Sequence, residues 1–168
     1  MELPRRPIVA VLENIRSLGN VGSIFRSSDA VRLGELVLCG FTGHPPREEI
    51  DKTALGTTES VPWSYWTRST EALRWLRESG YQILALEHTT RSRRLEEIEL
   101  TAPVAFVVGN EVEGVSEEAL ALCDAAVEIP MDGMKESLNV AVAFGVMAYG
   151  LAARLPLPST AENSRSST

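Results

Sequence analysis

Pro103-Val104-Ala105-Phe106-Val107-Val108-Gly109-Asn110-Glu111-Val112-Glu113-Gly114-Val115-Ser116-Glu117-Glu118 is the stretch that decides the fold. Its opening apolar run has strand length and no polar side, the pattern of a strand covered on both faces. The run passes directly into Gly109-Asn110-Glu111. Ser116 then stands where a helix N-cap belongs, with Glu117 and Glu118 at the positive end of the helix dipole. Strand, polar glycine loop and helix make the repeating unit of an α/β sheet, whose ligands bind where loops leave the carboxyl ends of the strands.

The same alternation continues on both sides. Ile8-Val9-Ala10-Val11-Leu12 reads as a buried strand between Pro7 and the polar Glu13-Asn14. Leu18-Gly19-Asn20-Val21-Gly22 reads as a turn, after which Val21, Ile24, Phe25, Ser28 and Val31 recur at helical spacing up to Gly34. A strand is expected from Glu35 to Gly40, a helix capped by Ser69 or Thr70 and running through Ser79, and a strand from Gln82 to Leu86. Residues 41–68 show no clear period. Near the end, Ala126–Ile129 reads as a strand and "IPMDGMKESLNVAVAFG", Ile129–Gly145, as a polar turn entering a helix from about Ser137 to Ala153. That helix is apolar almost all round, so a second covering surface is expected, and Asn139 reads as a buried polar residue inside it. The whole predicts one α/β domain over residues 1–155 with a mostly parallel sheet, and a disordered tail over 156–168.

Composition narrows the function. The chain has 168 residues, 44% of them hydrophobic, enough for a core. The apolar run Val140–Ala153 is shorter than the ~18 residues of a membrane span, and no leader pattern opens the sequence, so a soluble cytoplasmic protein is expected. Cys39 and Cys123 have no partner at metal spacing, and His44 and His88 stand apart from any patterned nucleophile, so no metal is expected. The formal charge of −7 is unevenly spread: 95–136 carries eleven acids against Lys135 alone, a local −10 that leaves +3 elsewhere. Arg5, Arg6, Arg16, Arg26 and Arg32 near the start, and Arg91, Arg93 and Arg94 in a "TTRSRR" loop, are the segments a polyanion could approach.

Three loops fit the carboxyl-end rule: Asn14 to Gly22, Gly109 to Ser116, and Pro130 to Ser137. By themselves they allow bland readings: Arg26 as a surface residue pairing with Asp29, the second loop as a tight turn, and Ser137 as a helix cap. The first loop has neither the third glycine nor the spacing of a dinucleotide fingerprint, which disfavours a nicotinamide enzyme.

Taken in order, Asn20-x-Gly22-x-x-x-Arg26, Gly109-Asn110-Glu111-x-x-Gly114-x-Ser116, and Ile129-Pro130-Met131 followed by Ser137-Leu138-Asn139-Val140 resemble the three motifs of the SpoU (TrmH-like) branch of the SPOUT RNA methyltransferases. Val112 and Ala141 depart from the small residue and the serine common at those places. The resemblance implies a parallel-sheet α/β knot with a C-terminal trefoil, a homodimer, and S-adenosylmethionine as cofactor. It implies methyl transfer to a ribose 2′-hydroxyl of tRNA or rRNA; the alternative is a knotted RNA-binding protein without transfer activity. Carried over by position, Arg26, Glu111, Ser137, Asn139 and Asn20 belong to the catalytic centre. Gly109, Asn110, Ile129, Met131 and Leu138 hold the cofactor, with Leu86 and Glu87 as further candidates. The hydroxyl proton is left to Glu111 or to a substrate phosphate oriented by Arg26, because a guanidinium stays protonated. Arg5, Arg6, Arg16, Arg91, Arg93 and Arg94 are expected on RNA phosphates.

Overall fold

The computed structural model describes residues 3–159. The strands are β1 (Ile8–Glu13), β2 (Glu35–Cys39), β3 (Trp63–Trp66), β4 (Gln82–Leu86), β5 (Val104–Val108) and β6 (Ala125–Val127). The helices are α1 (Leu18–Ala30), α2 (Glu48–Ala54), α3 (Thr57–Ser60), α4 (Ser69–Glu78), α5 (Glu117–Leu120) and α6 (Val140–Arg154), with a 3-10 turn at Leu95–Glu97. The strands form one sheet in the order β3-β2-β1-β5-β4-β6, and every pairing is parallel.

Helices cover both faces because alternate side chains of the central strands are apolar on both sides. Ile8, Ala10 and Leu12 of β1 and Val104, Phe106 and Val108 of β5 join one core with Ile24 and Phe25 of α1 and Phe144, Met147, Ala148 and Leu151 of α6. Val9, Val11, Ala105 and Val107 point the other way, onto Leu73 and Leu76 of α4 and Ala119 of α5. Each large side chain so buried stabilises the fold by roughly 1.5–3 kcal/mol before the entropy of ordering it. On α6 the buried set recurs at helical spacing and Phe144 meets Phe106 with ring centres 5.2 Å apart.

Several boundaries differ from the sequence reading, each for a local reason. The stretch read as a turn, Leu18 to Gly22, is the start of α1, because the Ser17 side chain accepts from the Asn20 amide and caps a helix that begins at Leu18. Gly22 is there for packing: a Cβ would lie 2.1 Å from Thr53 Oγ1 and 2.3 Å from the Ile50 carbonyl of α2. The unassigned 41–68 segment holds α2, α3 and the edge strand β3, with Leu55 and Gly56 at positive φ breaking the two helices apart. Ser69 does not cap α4, since Arg68 is the flanking residue and the Ser69 hydroxyl is turned to Glu13. Helix α6 begins at Val140, not Ser137, and β6 ends at Val127. Residues 156–159 follow α6 without helix or strand, and the rest of the expected tail lies outside the described residues. No helix among the described residues is long and apolar enough to cross a membrane.

Candidate active site

The carboxyl ends of β4, β5 and β6 open onto a cavity of about 360 Å³. Its walls come from the loops leaving those strands and from the first turn of α6. Gly109, Asn110, Ile129, Met131, Leu138, Leu86 and Glu87 all line it, as do Glu111, Ser137 and Asn139. Eight residues selected from the second and third motifs and two from the end of β4 thus meet around one cavity.

The second loop is built by its own polar groups. Asn110 Oδ1 accepts from the amides of Val112 and Glu113 at 2.9 and 3.0 Å, and its Nδ2 donates to the Asn14 carbonyl at 2.9 Å. Gly114 takes φ +71°, and a Cβ there would meet a Glu87 carboxyl oxygen at 2.4 Å. Gly109 must also lack a side chain, because a Cβ would strike the Gly114 and Val115 main chain at 2.3 Å. From outside, Glu87 accepts the Val115 amide at 2.8 Å. Glu13, at the end of β1 and 4% exposed, accepts the Ser116 amide at 2.7 Å, the Ser116 hydroxyl at 2.8 Å and the Ser69 hydroxyl. The sequence reading missed Glu13; its signal is an acid at the carboxyl end of a fully buried strand.

Glu111 reaches in the opposite direction. Its carboxylate accepts the Arg16 amide at 3.1 and 3.0 Å, the Ser17 amide at 3.1 Å and Asn20 Nδ2 at 3.3 Å. Burial pushes the Glu111 carboxyl up, but the backbone amides of Arg16, of Glu111 itself and of Ser17, with the Asn20 side chain, outweigh it and hold the group below the usual carboxylate range. Asn139 completes the chain of contacts, donating to Asn20 Oδ1 at 3.2 Å. It is an exposed N-cap, not a buried residue within α6: its Oδ1 accepts the Ala141 and Val142 amides at 2.9 and 3.3 Å. Ser137 is exposed and does not cap the helix.

Arg26 does not line the cavity. It is exposed on α1 with no hydrogen-bond or ion-pair partner among the described residues, and Asp29 accepts from Ser60 instead. It lies six residues beyond Asn20 on α1, about 9 Å of helix rise and about 120° round the helix axis, whereas Ser23 and Ser27 share the Asn20 face. Arg16, Arg91, Arg93 and Arg94 are exposed on loops that leave the carboxyl ends of β1 and β4.

Arg5 and Arg6 stand apart from the other arginines. They precede β1 and sit at the amino end of the sheet, about 20 Å from the cavity end by the length of a six-residue strand. Both are half-buried and hold the chain's own carbonyls: Arg5 those of Leu33 and Ser60, Arg6 those of Val31 and Leu155. Cys39 is buried and Cys123 half-buried, and each thiol is pushed up to about 12 chiefly by burial, with Glu13 beside Cys39 and with Asp124 and Glu13 beside Cys123.

The cavity's charge defines its ligand class. Glu87, Glu111, Glu113, Glu128 and Glu136 line it without a single Lys or Arg, while Leu86, Val108, Val127, Ile129 and Leu138 supply apolar surface. An α/β sheet with an acidic, half-apolar cavity at its carboxyl edge is a domain for a cationic or polyhydroxyl cofactor with a flat apolar part, and is ill suited to a pyrophosphate. The family model described as the SpoU rRNA Methylase family matches residues 7–149, and the chain belongs to that family. A tRNA (guanosine(18)-2′-O)-methyltransferase of Thermus thermophilus is 38% identical over 146 residues, covering 86% of this chain and 74% of the relative. The TrmH/SpoU tRNA modifying enzyme of A. aeolicus superposes with a TM-score of 0.82 at 29% identity, over 91% of this chain and 77% of that one. An AdoMet-bound rRNA methyltransferase from Sinorhizobium meliloti gives 0.82 at 30% identity, but the chain spans only 58% of its length against 91% of its own.

Replacing Glu13 by Ala strips the Ser116 amide and two hydroxyls of their acceptor. The variant should lose about 1–3 kcal/mol of stability, and the 109–116 loop should become protease-sensitive before the rest of the domain does. Urea unfolding with limited proteolysis checks this; unchanged stability together with unchanged cleavage would count against the clamp.

Proposed function

We propose that the chain transfers a methyl group from S-adenosylmethionine to a ribose 2′-hydroxyl of tRNA or rRNA. The observation that carries the reading is the acid-lined cavity built from the second and third family motifs, because its carboxyl groups match a ligand bearing a sulfonium, an ammonium and two ribose hydroxyls. Gly109, Leu138, Ile129 and Met131 would hold the apolar and backbone-facing parts of that ligand, and the Oε1 atoms of Glu87 and Glu128, whose Oε2 atoms are taken by Val115 and by Ser92 with His88, would accept from its hydroxyl groups. S-adenosylmethionine supplies a methyl carbon already activated by positive sulfur, so alignment and proton handling are what the protein must provide.

In the reaction the ribose oxygen forms the new C–O bond as the C–S bond breaks, and the hydroxyl proton must leave. Glu111 is a poor base for it, since its acceptor capacity is spent on the Arg16 and Ser17 amides and Asn20. We assign Glu111 and Asn20 to positioning. Arg26, free and exposed, orients the adjoining phosphate and stabilises charge growing on the attacking oxygen, and a phosphate oxygen takes the proton. Asn139 and Ser137 stand at the cavity mouth to meet the ribose. Arg16, Arg91, Arg93 and Arg94 replace the N-terminal pair as phosphate contacts, while the acidic cavity itself repels the RNA backbone. We assign residues 1–155 to one domain whose C-terminal segment, 128–139, threads the loop between β4 and β5 as a trefoil; Arg154 then ties α6 to the carbonyls of Leu95 and Ile98 at 2.9 and 2.7 Å.

A homodimer fits the uncovered face of α6. Val142, Val146 and Tyr149 are exposed in a row across Gly145, beside Ser23 and Ser27 of α1. The proposal requires the protein to work in the compartment where tRNA and rRNA are modified, the cytoplasm.

Incubation of the purified chain with methyl-labelled S-adenosylmethionine and total tRNA or rRNA, followed by nucleoside mass spectrometry, should yield one 2′-O-methyl nucleoside. Cofactor binding with no transfer to either RNA would favour the binding-only alternative. Arg26→Ala should lower the single-turnover rate about 100-fold or more without weakening cofactor binding. Glu111→Gln should also be slow, yet its rate should keep the wild-type dependence on pH between roughly 6 and 9, where a base would impose its own titration. The sign follows from the lowered Glu111 value: the anchor is complete above the ordinary Glu value of about 4.3 and is lost only as pH falls through the lower folded value. Val146→Glu should shift the protein to monomer in analytical ultracentrifugation; an unaltered dimer would place the interface elsewhere.

A further inference from the structure

Across the β1 exit from Glu111 stands a second group of side chains that the reaction centre does not use. The loop after β2 begins at Gly40, with φ +67°, and is locked to the β1 exit. Thr42, 2% exposed, donates to the Leu12 carbonyl at 3.2 Å and accepts the Ile15 amide at 3.0 Å, and the Phe41 amide donates to Asn14 Oδ1 at 3.1 Å. With Thr42 turned inward, Phe41 is turned out and is 62% exposed. Tyr65 of β3 is 43% exposed and is fixed by its hydroxyl donating to the Gly40 carbonyl at 2.6 Å. The His44 ring lies 5.1 Å from Tyr65 and 5.7 Å from Trp63. Arg16 on one side and Arg68 on the other are exposed, with side chains that have no hydrogen-bond or ion-pair partner among the described residues.

We infer that Phe41 and Tyr65, flanked by Arg16 and Arg68, form a stacking platform for unpaired nucleotides next to the methylated ribose. The inference rests on the RNA methyltransferase reading and deepens it. Three features favour RNA bases as the occupant. Two exposed rings stand between two exposed guanidiniums along the β3-β2-β1 edge, which suits a strand of bases on a charged backbone. The Tyr65 ring is held by its hydroxyl on the Gly40 carbonyl and the Phe41 main chain by Asn14, so less entropy is lost when a base settles there. The surface is continuous with the reaction centre through Asn14, which receives Asn110 on one side and holds Phe41 on the other. A ribose hydroxyl brought against a buried donor also comes most easily from a nucleotide free of a duplex.

The test uses the full chain with a fluorescent 15-nucleotide single-stranded RNA, its blunt duplex, and S-adenosylmethionine. Phe41→Ala and Tyr65→Ala should each weaken single-strand binding about tenfold, and Tyr65→Leu should not rescue it although it fills similar volume. Trp75→Ala, which removes an exposed ring that pairs with Trp66 on the opposite face of the sheet, should leave RNA affinity unchanged. Cofactor affinity should be the same in all of them, which shows that the variants fold. Unchanged single-strand affinity in the Phe41/Tyr65 double variant, or a duplex bound as tightly as the single strand, overturns the platform. A wild-type chain that binds the single strand through Phe41 but neither binds nor uses S-adenosylmethionine would overturn the proposed reaction and leave the platform standing.

Discussion

The site depends on one anion and the amides it gathers. The β1 exit, Asn14 to Ser17, leaves a buried strand and must enter α1 within four residues, and Glu111 supplies from β5 the acceptor that its Arg16 and Ser17 amides need. The same carboxylate holds Asn20, and Asn20 holds Asn139, so the entries of α1 and α6 are fixed relative to the cavity by contacts through one side chain. Glu13 makes the reverse connection, from the end of β1 to the Ser116 cap of α5. Two neighbouring strands thus each lend a carboxyl group to the loop that follows the other. The half-buried Ser116 amide would cost about 1–3 kcal/mol if left unpaired, whereas the Arg16 and Ser17 amides are exposed and are fixed in direction by Glu111 more than in energy.

Charge is partitioned to match. Four of the eleven acids between 95 and 136, Glu111, Glu113, Glu128 and Glu136, line the cavity together with Glu87, a lining that suits a cationic cofactor better than a phosphate. The exposed arginines Arg16, Arg91, Arg93 and Arg94 stand outside the cavity on loops at the same end of the sheet, and Arg26 is exposed along α1. A chain with formal charge −7 can therefore engage a polyanion, because the two signs occupy different places rather than cancelling.

Much of this was legible in the sequence. Apolar runs such as Val104–Val108 and Ile83–Ala85 announce strands covered on both faces, and Ser116 announces its helix. The cavity wall was found through the family resemblance of the motifs, since glycines and polar groups at strand ends mark the loops but do not by themselves pick out Ile129, Met131 or Leu138. What was not legible depends on contacts between distant segments. Asn139 looked buried because its neighbours are apolar, but a cap is decided by where the helix begins, and the Asn139 carbonyl oxygen of the side chain is what begins it. Arg5 and Arg6 looked like a phosphate site because sequence gives charge without direction; only the parallel topology puts them at the far end of β1. Residues 41–68 hid β3 because Trp63-Ser64-Tyr65-Trp66 is an edge strand, half exposed and lacking the apolar run of the central ones.

The most direct test of the central claim is the titration of the Glu111 side-chain carboxyl, followed by carbon NMR on selectively labelled protein. The account predicts a midpoint below the ordinary Glu value of about 4.3, rising when Asn20→Ala removes one of its donors. A midpoint near neutrality, or one unmoved by that substitution, would mean that Glu111 is not the anion that holds the β1 exit, and would return it to the place of a catalytic base.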